Sequence, residues 1–135
     1  MTNSRAKIQE PLHDIGDEDE TSRMIAADKV QGTNVYNAAG EKLGTVERVM
    51  IDKQTGKVAY AVMSFGGFLG IGDQHHPLPW SALSYDTEHA GYRVNVDTER
   101  LKAAPTVAPD QRIDWDNETW GRNLHDYYGI RPYWV

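Results

Sequence analysis

The sequence contains no cysteine. That absence removes disulfides, thiolate nucleophiles and Cys-ligated zinc together. There is no long apolar run either. The longest candidate, 58–71, is shorter than the ~20 residues a membrane-spanning helix needs and is rich in glycine. The first ten residues carry Arg5 and Lys7, but no apolar signal-peptide core follows. These absences lead to the expectation of a cytoplasmic protein without membrane insertion. Positive charge is also short: 14 Lys and Arg against 20 Asp and Glu leave a net charge of −6. A nucleic-acid binder needs surplus cations on one surface, so nucleic acid is not expected as a partner. The same deficit argues against docking on an anionic membrane.

What is present suits one small domain with tails, since 135 residues leave no room for two full domains. A core this thin gains from any further burial, oligomerisation included. Residues 1–27 read as a flexible arm, because Pro11, Gly16 and the acidic run Asp17-Glu18-Asp19-Glu20 cannot build a core. Strand patterns then follow at 30–36, 43–52 and 57–65, separated by glycine-closed turns at Gly40 and Gly56. In the second strand the alternation slips at Glu47-Arg48, which predicts a β-bulge and a bend. The third strand is apolar on both faces: Val58, Tyr60 and Val62 on one, Ala59, Ala61 and Met63 on the other. One face must meet the core and the other a tail, a helix or another chain. Short strands near 75–78, at Tyr85 and over 92–97 complete the set. Asp97 is placed to cap a short helix over 98–103. Several short strands at regular spacing predict a mainly β fold, a small and strongly bent antiparallel barrel filled by side chains.

Residues 105–135 form a linker and an aromatic arm. A helix is expected over 117–128, capped by Asp116 or Asn117 and stopped by Gly129. Trp120, Leu124, Tyr127 and Tyr128 fall on one stripe of that helix. With Trp115, Tyr133 and Trp134 they make a dense aromatic set. This arm either folds back over the second face of the 57–65 strand or clasps a second subunit or another protein.

Three other features are candidates for function. The glycine-rich loop from Gly66 to Gly72 lacks the Gly-Lys-Ser/Thr ending of a phosphate loop and contains no cation. It reads as a crossover between strands, or as a loop presenting Phe68, Leu69 and Ile71 to a partner. Asp73-Gln74-His75-His76 is the best metal candidate, with His13, His89 or His125 supplying further ligands. Adjacent histidines on a strand point to opposite faces, however, and seldom share an ion. Ser64 and Ser81 lack a nucleophile-elbow context, so no catalytic residue and no cofactor are expected. The sequon at Asn117 is taken as chance.

One stretch carries a more specific signature. It runs Val30-Gln31-Gly32-Thr33-Asn34-Val35-Tyr36, then Gly40-Glu41-Lys42-Leu43-Gly44-Thr45-Val46-Glu47, Ile51-Asp52 and Thr55-Gly56-Lys57-Val58. A glycine-rich loop and Pro77-Leu78-Pro79-Trp80-Ser81-Ala82-Leu83 close it. This resembles the PRC-barrel family, named for the cytoplasmic domain of the photosynthetic reaction-centre H subunit, over residues 28–104. The resemblance implies a small β-barrel used for protein–protein contact. It also implies a bacterial stand-alone copy, because the membrane helix of the H subunit and the second domain of the related ribosome-maturation factor are missing. It offers no catalytic residues. The expectation is a non-enzymatic interaction module, a homodimer or a partner of an unidentified protein. Contact would run through the barrel, the loop residues Phe68, Leu69 and Ile71, and Trp120, Leu124, Tyr127, Tyr128 and Trp134 of the arm. The alternative is a small-ligand or divalent-metal protein using His75 and His76.

Overall fold

The computed structural model describes residues 20–64, 74–108 and 110–135. The chain divides into two compact units, Met1–Val30 and Gln31–Val135. In the described part of the first, a β-bridge joins Glu20 to Ile25, and one helical turn follows, α1 (Ala27–Val30). Lys29 Nζ lies 3.1 Å from Glu20 Oε1 within the same unit.

The described residues of the second unit form six strands: β1 (Asn34–Tyr36), β2 (Lys42–Ile51), β3 (Val58–Ser64), β4 (His75–Pro79), β5 (Leu83–Asp86) and β6 (Gly91–Val94). Their order across the sheet is β4-β3-β2-β1-β6-β5. The outermost strands, β4 and β5, are consecutive in the chain and joined by a single 3₁₀ turn (Trp80–Ala82). Opposite edges linked by three residues must lie close together, so the sheet is curled on itself. The predicted bulge supplies part of the bend: the β2–β3 register shifts between Val46 and Arg48, around Glu47. One pair departs from the antiparallel expectation. β1 runs parallel to β6, pairing Val35 with Tyr92 and Tyr36 with Arg93, while the other four pairs are antiparallel.

The first strand is shorter than the apolar pattern suggested. Val30 belongs to α1, and Gly32 takes a φ of +85°, which ends any extended run until Asn34. Gly40 has φ +88° in the turn where positive φ was expected. The inward side chains Val35, Leu43, Val46, Met63, Leu78 and Val94 are fully buried and fill the curled sheet. A short helix, α2 (Thr98–Lys102), adds Leu101 to this core, with Asp97 accepting from the Arg100 amide as its cap.

The seam between β1 and β6 is tight. A Cβ on Gly91 would lie 2.6 Å from the Asn34 carbonyl oxygen and 2.9 Å from the Tyr36 ring. The first neighbour is backbone and cannot swing aside. Gly91→Ala is therefore expected to cost about 1–3 kcal/mol, the usual range for overpacking. Urea unfolding should show a lower midpoint at unchanged slope; an unaltered midpoint would mean the seam is slack.

The arm completes the fold. Asn117 caps α3 (Glu118–Tyr128) by accepting from the Trp120 amide, and Gly129 ends it in the left-handed region. α3 packs on β4. Along β3, residues 59, 61 and 63 turn to the core. Tyr60, on the opposite face, meets the rings of Trp115, Trp120, His125 and Tyr133 at 5.1–5.8 Å. The second face of β3 is thus covered by the chain's own arm.

Candidate functional site

Each candidate residue can now be placed. Phe68, Leu69 and Ile71 lie outside the described residues. Leu124 and Tyr128 are buried inside the chain, which leaves them no surface to offer a partner. Trp120 is half-buried against Tyr60 and Trp115. Trp134 is half-buried against His125 and Tyr133. Tyr127 holds the arm to α2: its hydroxyl donates to the Arg100 carbonyl, its own carbonyl accepts from the Arg100 guanidinium, and that guanidinium lies 4.5 Å from its ring centre. The adjacent histidines diverge as strand geometry requires. His76 pairs with Met63 and is fully buried on the core side, while His75 pairs with Ser64 and is partly exposed. They do not converge on one ion.

His76 shows what burial does to an imidazole. Removal from water, with a smaller contribution from His75, holds its pKa down at about 4, although the Leu101 backbone acts the other way. The neutral ring is thus the folded form at neutral pH. Tyr60 is pushed up to about 12, first by burial and then by Tyr133.

A cleft of about 500 Å³ forms beside His75. It starts at the β2 bulge, where the two polar residues that break the alternation, Glu47 and Arg48, turn outward. Glu47 Oε1 lies 3.3 Å from His75 Nε2. The linker makes the opposite wall. Val107 exchanges both backbone hydrogen bonds with His75, each 2.9 Å, and Thr106 donates to Gln74. Asp110, Gln111, Arg112, Ile113 and Trp115 continue that wall, and Val62 lines the cleft from β3. The cleft thus has both signs of charge, one imidazole, and a few apolar side chains. None of its described lining residues carries a hydroxyl or thiol nucleophile. The bulge signalled Glu47 and Arg48 in the sequence. Nothing signalled residues 110–113.

A second polar group sits on the β5–β6 turn. Asp86, Glu88 and His89 bring ligand atoms within 4.8 Å of one another, a possible cation-binding set. The Asp86 carboxylate is already engaged, accepting from Arg93 at 2.7 Å and from His89 Nδ1 at 2.8 Å. The Arg93 guanidinium is the main cause that holds this carboxyl down at about 2. A cation would have to displace that guanidinium. Among the described residues no helix is long and apolar enough to cross a membrane.

No curated protein shows significant similarity to the chain. A family model does: the PRC-barrel domain matches residues 22–101, which take in all six strands and most of α2. With the curled six-stranded sheet and the resemblance in motifs, this match establishes that the chain belongs to the PRC-barrel domain family.

Proposed function

We propose that this protein is a non-enzymatic interaction module that self-associates as a homodimer. The observation that carries the reading is the open edge of the sheet. Among the described residues, β5 is hydrogen-bonded to β6 on one side and has no strand on the other. Its Tyr85 is 38% exposed, one of four large apolar side chains exposed to this degree or more among the described residues. A short edge strand with a partly exposed aromatic on it can add a second strand, and a second copy supplies one by symmetry. The interior supports the reading from the other side, because fully buried side chains fill it. The cleft beside His75 is open and mixed in charge, unlike the enclosed apolar sites that hold small ligands. It suits a polypeptide segment better. The glycine-rich loop and the exposed side of the arm are further contact surfaces in this proposal.

Light scattering on the full chain tests it. A dimer mass is expected. In a symmetric β5–β5 contact, Tyr85→Lys sets one lysine near another. The dimer should weaken at least about tenfold, equivalent to about 1.4 kcal/mol. The circular dichroism should stay that of a folded barrel, since Tyr85 lies on the partly exposed edge strand, where its ring meets Tyr92. A monomeric parent chain, or a variant that dimerises as well as the parent, sinks the proposal.

A further inference from the structure

The six-stranded sheet is complete before the arm begins, and the family match ends at residue 101. After Val107, the hydrogen bonds among the described residues stay local until α3 starts. Gln111 bonds back to Ala108, and Asp116 and Asn117 bond back to Asp114. Residues 108–116 span up to about 30 Å when extended, enough to reach a neighbouring barrel. We propose that the face of β3 and β4 beneath the arm is an exchangeable helix seat. Within one chain its own α3 fills the seat; in the self-associated form, α3 of a second copy fills it. This rests on the self-association reading above and adds a reciprocal contact to it.

The seat is an apolar face that needs an occupant. Tyr60 pairs with Pro79 and Val62 with Pro77 across β3 and β4, so these four side chains share the face on which α3 lies. All four are buried. Trp120, His125 and Tyr133 of the arm close over Tyr60. A chain whose arm has lifted leaves this face to water, which favours any helix that refills it. The fit is particular. A Cβ at position 121 would lie 2.9 Å from both the Tyr60 hydroxyl and the Trp134 ring. An unrelated amphipathic helix with a side chain there meets that obstacle. The helix that matches the seat is the identical one on a second copy. Its exchange keeps every contact and changes only which chain supplies it.

Two buried donors loosen the hold of the seat. The Tyr128 hydroxyl and Trp134 Nε1 have no hydrogen-bond partner among the described residues. Water satisfies both once the arm lifts, so opening costs less than the buried apolar area implies. The clamp between Arg100 and Tyr127 is a further tie, and the Arg100 side chain lies at the surface, where it can release without disturbing the core. The tether sets the competition. A linked arm returns to its own seat at an effective concentration on the order of millimolar, so exchange grows with chain concentration.

A fluorescent peptide of residues 114–135, titrated into the full chain, tests the seat. In the parent, the chain's own α3 competes with it. Leu124→Ala loosens α3, and the peptide should bind that variant at least about tenfold more tightly than the parent. Arg100→Ala, an exposed change that removes only the guanidinium side of the clamp, should shift binding the same way by several-fold. A peptide that binds neither variant more tightly than the parent overturns the proposal. Isotope-filtered NMR tests the exchange. Labelled and unlabelled full chains are refolded together at high concentration. The dimer should show contacts from Tyr60 of one chain to Trp115 or Trp120 of the other. A dimer in which Tyr60 meets only the arm of its own chain overturns exchange and leaves the self-association reading standing. A chain that stays monomeric overturns both.

Discussion

Replacing Tyr60 by alanine should lower the stability of the protein by about 3–5 kcal/mol, the range for deleting a buried aromatic ring. Tyr60 is 2% exposed and touches four rings of the arm. The deleted ring leaves a void that the β3 backbone cannot close, and each aromatic pair adds about 0.5–1.5 kcal/mol beyond the area it buries. The loss is confined to one face of β3. Limited proteolysis of Tyr60→Ala should thus cut first in the linker around 105–116, before the barrel. Tyr60→Phe keeps the ring and should cost under about 1 kcal/mol. Equal resistance of the alanine variant and the parent in both urea and protease would show that the arm is not held by this residue.

Acidification should produce an effect of similar size through His76. The folded chain holds this ring near 4, whereas in the unfolded chain it titrates at its ordinary 6.5. Between those values the unfolded state binds more protons, so protonation favours unfolding. The contribution is complete above pH 6.5 and is lost as the pH falls towards 4, about 3 kcal/mol in all. Asp86 acts in a different window. Its depressed carboxyl contributes above its ordinary value of 3.8 and loses that only as the pH falls through about 2. Urea midpoints measured from pH 7.5 to 4.5 should fall steeply in the parent and more shallowly in His76→Leu. Parallel curves would place the acid sensitivity elsewhere.

The parts of this structure that were legible in the sequence are governed by neighbours along the chain. Glu47-Arg48 broke a two-residue alternation, and the register shifts there. Asp97 and Asn117 are caps because their short side chains reach amides three residues on. The two-faced apolar character of β3 correctly required a second cover. What supplies the cover was open between two readings, because a helical stripe fixes which side chains are apolar but not what they meet. Gly121 illustrates the limit. Inside a helix it costs about 1 kcal/mol against alanine and looks like a weakness. Its reason is non-local: a Cβ there would lie 2.9 Å from both Trp134 and the Tyr60 hydroxyl, so only glycine lets the helix lie this close to β3. The cleft was half legible for the same reason. Its β2 side followed from the bulge, but its other wall depends on Val107 reaching His75, a pairing that no local pattern announces.

The parallel pairing of β1 with β6 bears on how the chain acquires its fold. β2, β3 and β4 follow one another as neighbours in sheet and sequence, and β5 and β6 form a hairpin. Each group closes short loops and can assemble from local contacts. The link between them is different. Tyr36 meets the turn residue His89 across 53 positions of chain, and β1 offers only three residues to hold the two groups together. Joining them costs the entropy of closing that long loop before any contact is gained. Until β1 and β6 meet, both strands are unpaired edges, open to a second copy of the chain as readily as to each other. Chain concentration during folding therefore selects between a completed barrel and strands exchanged between molecules.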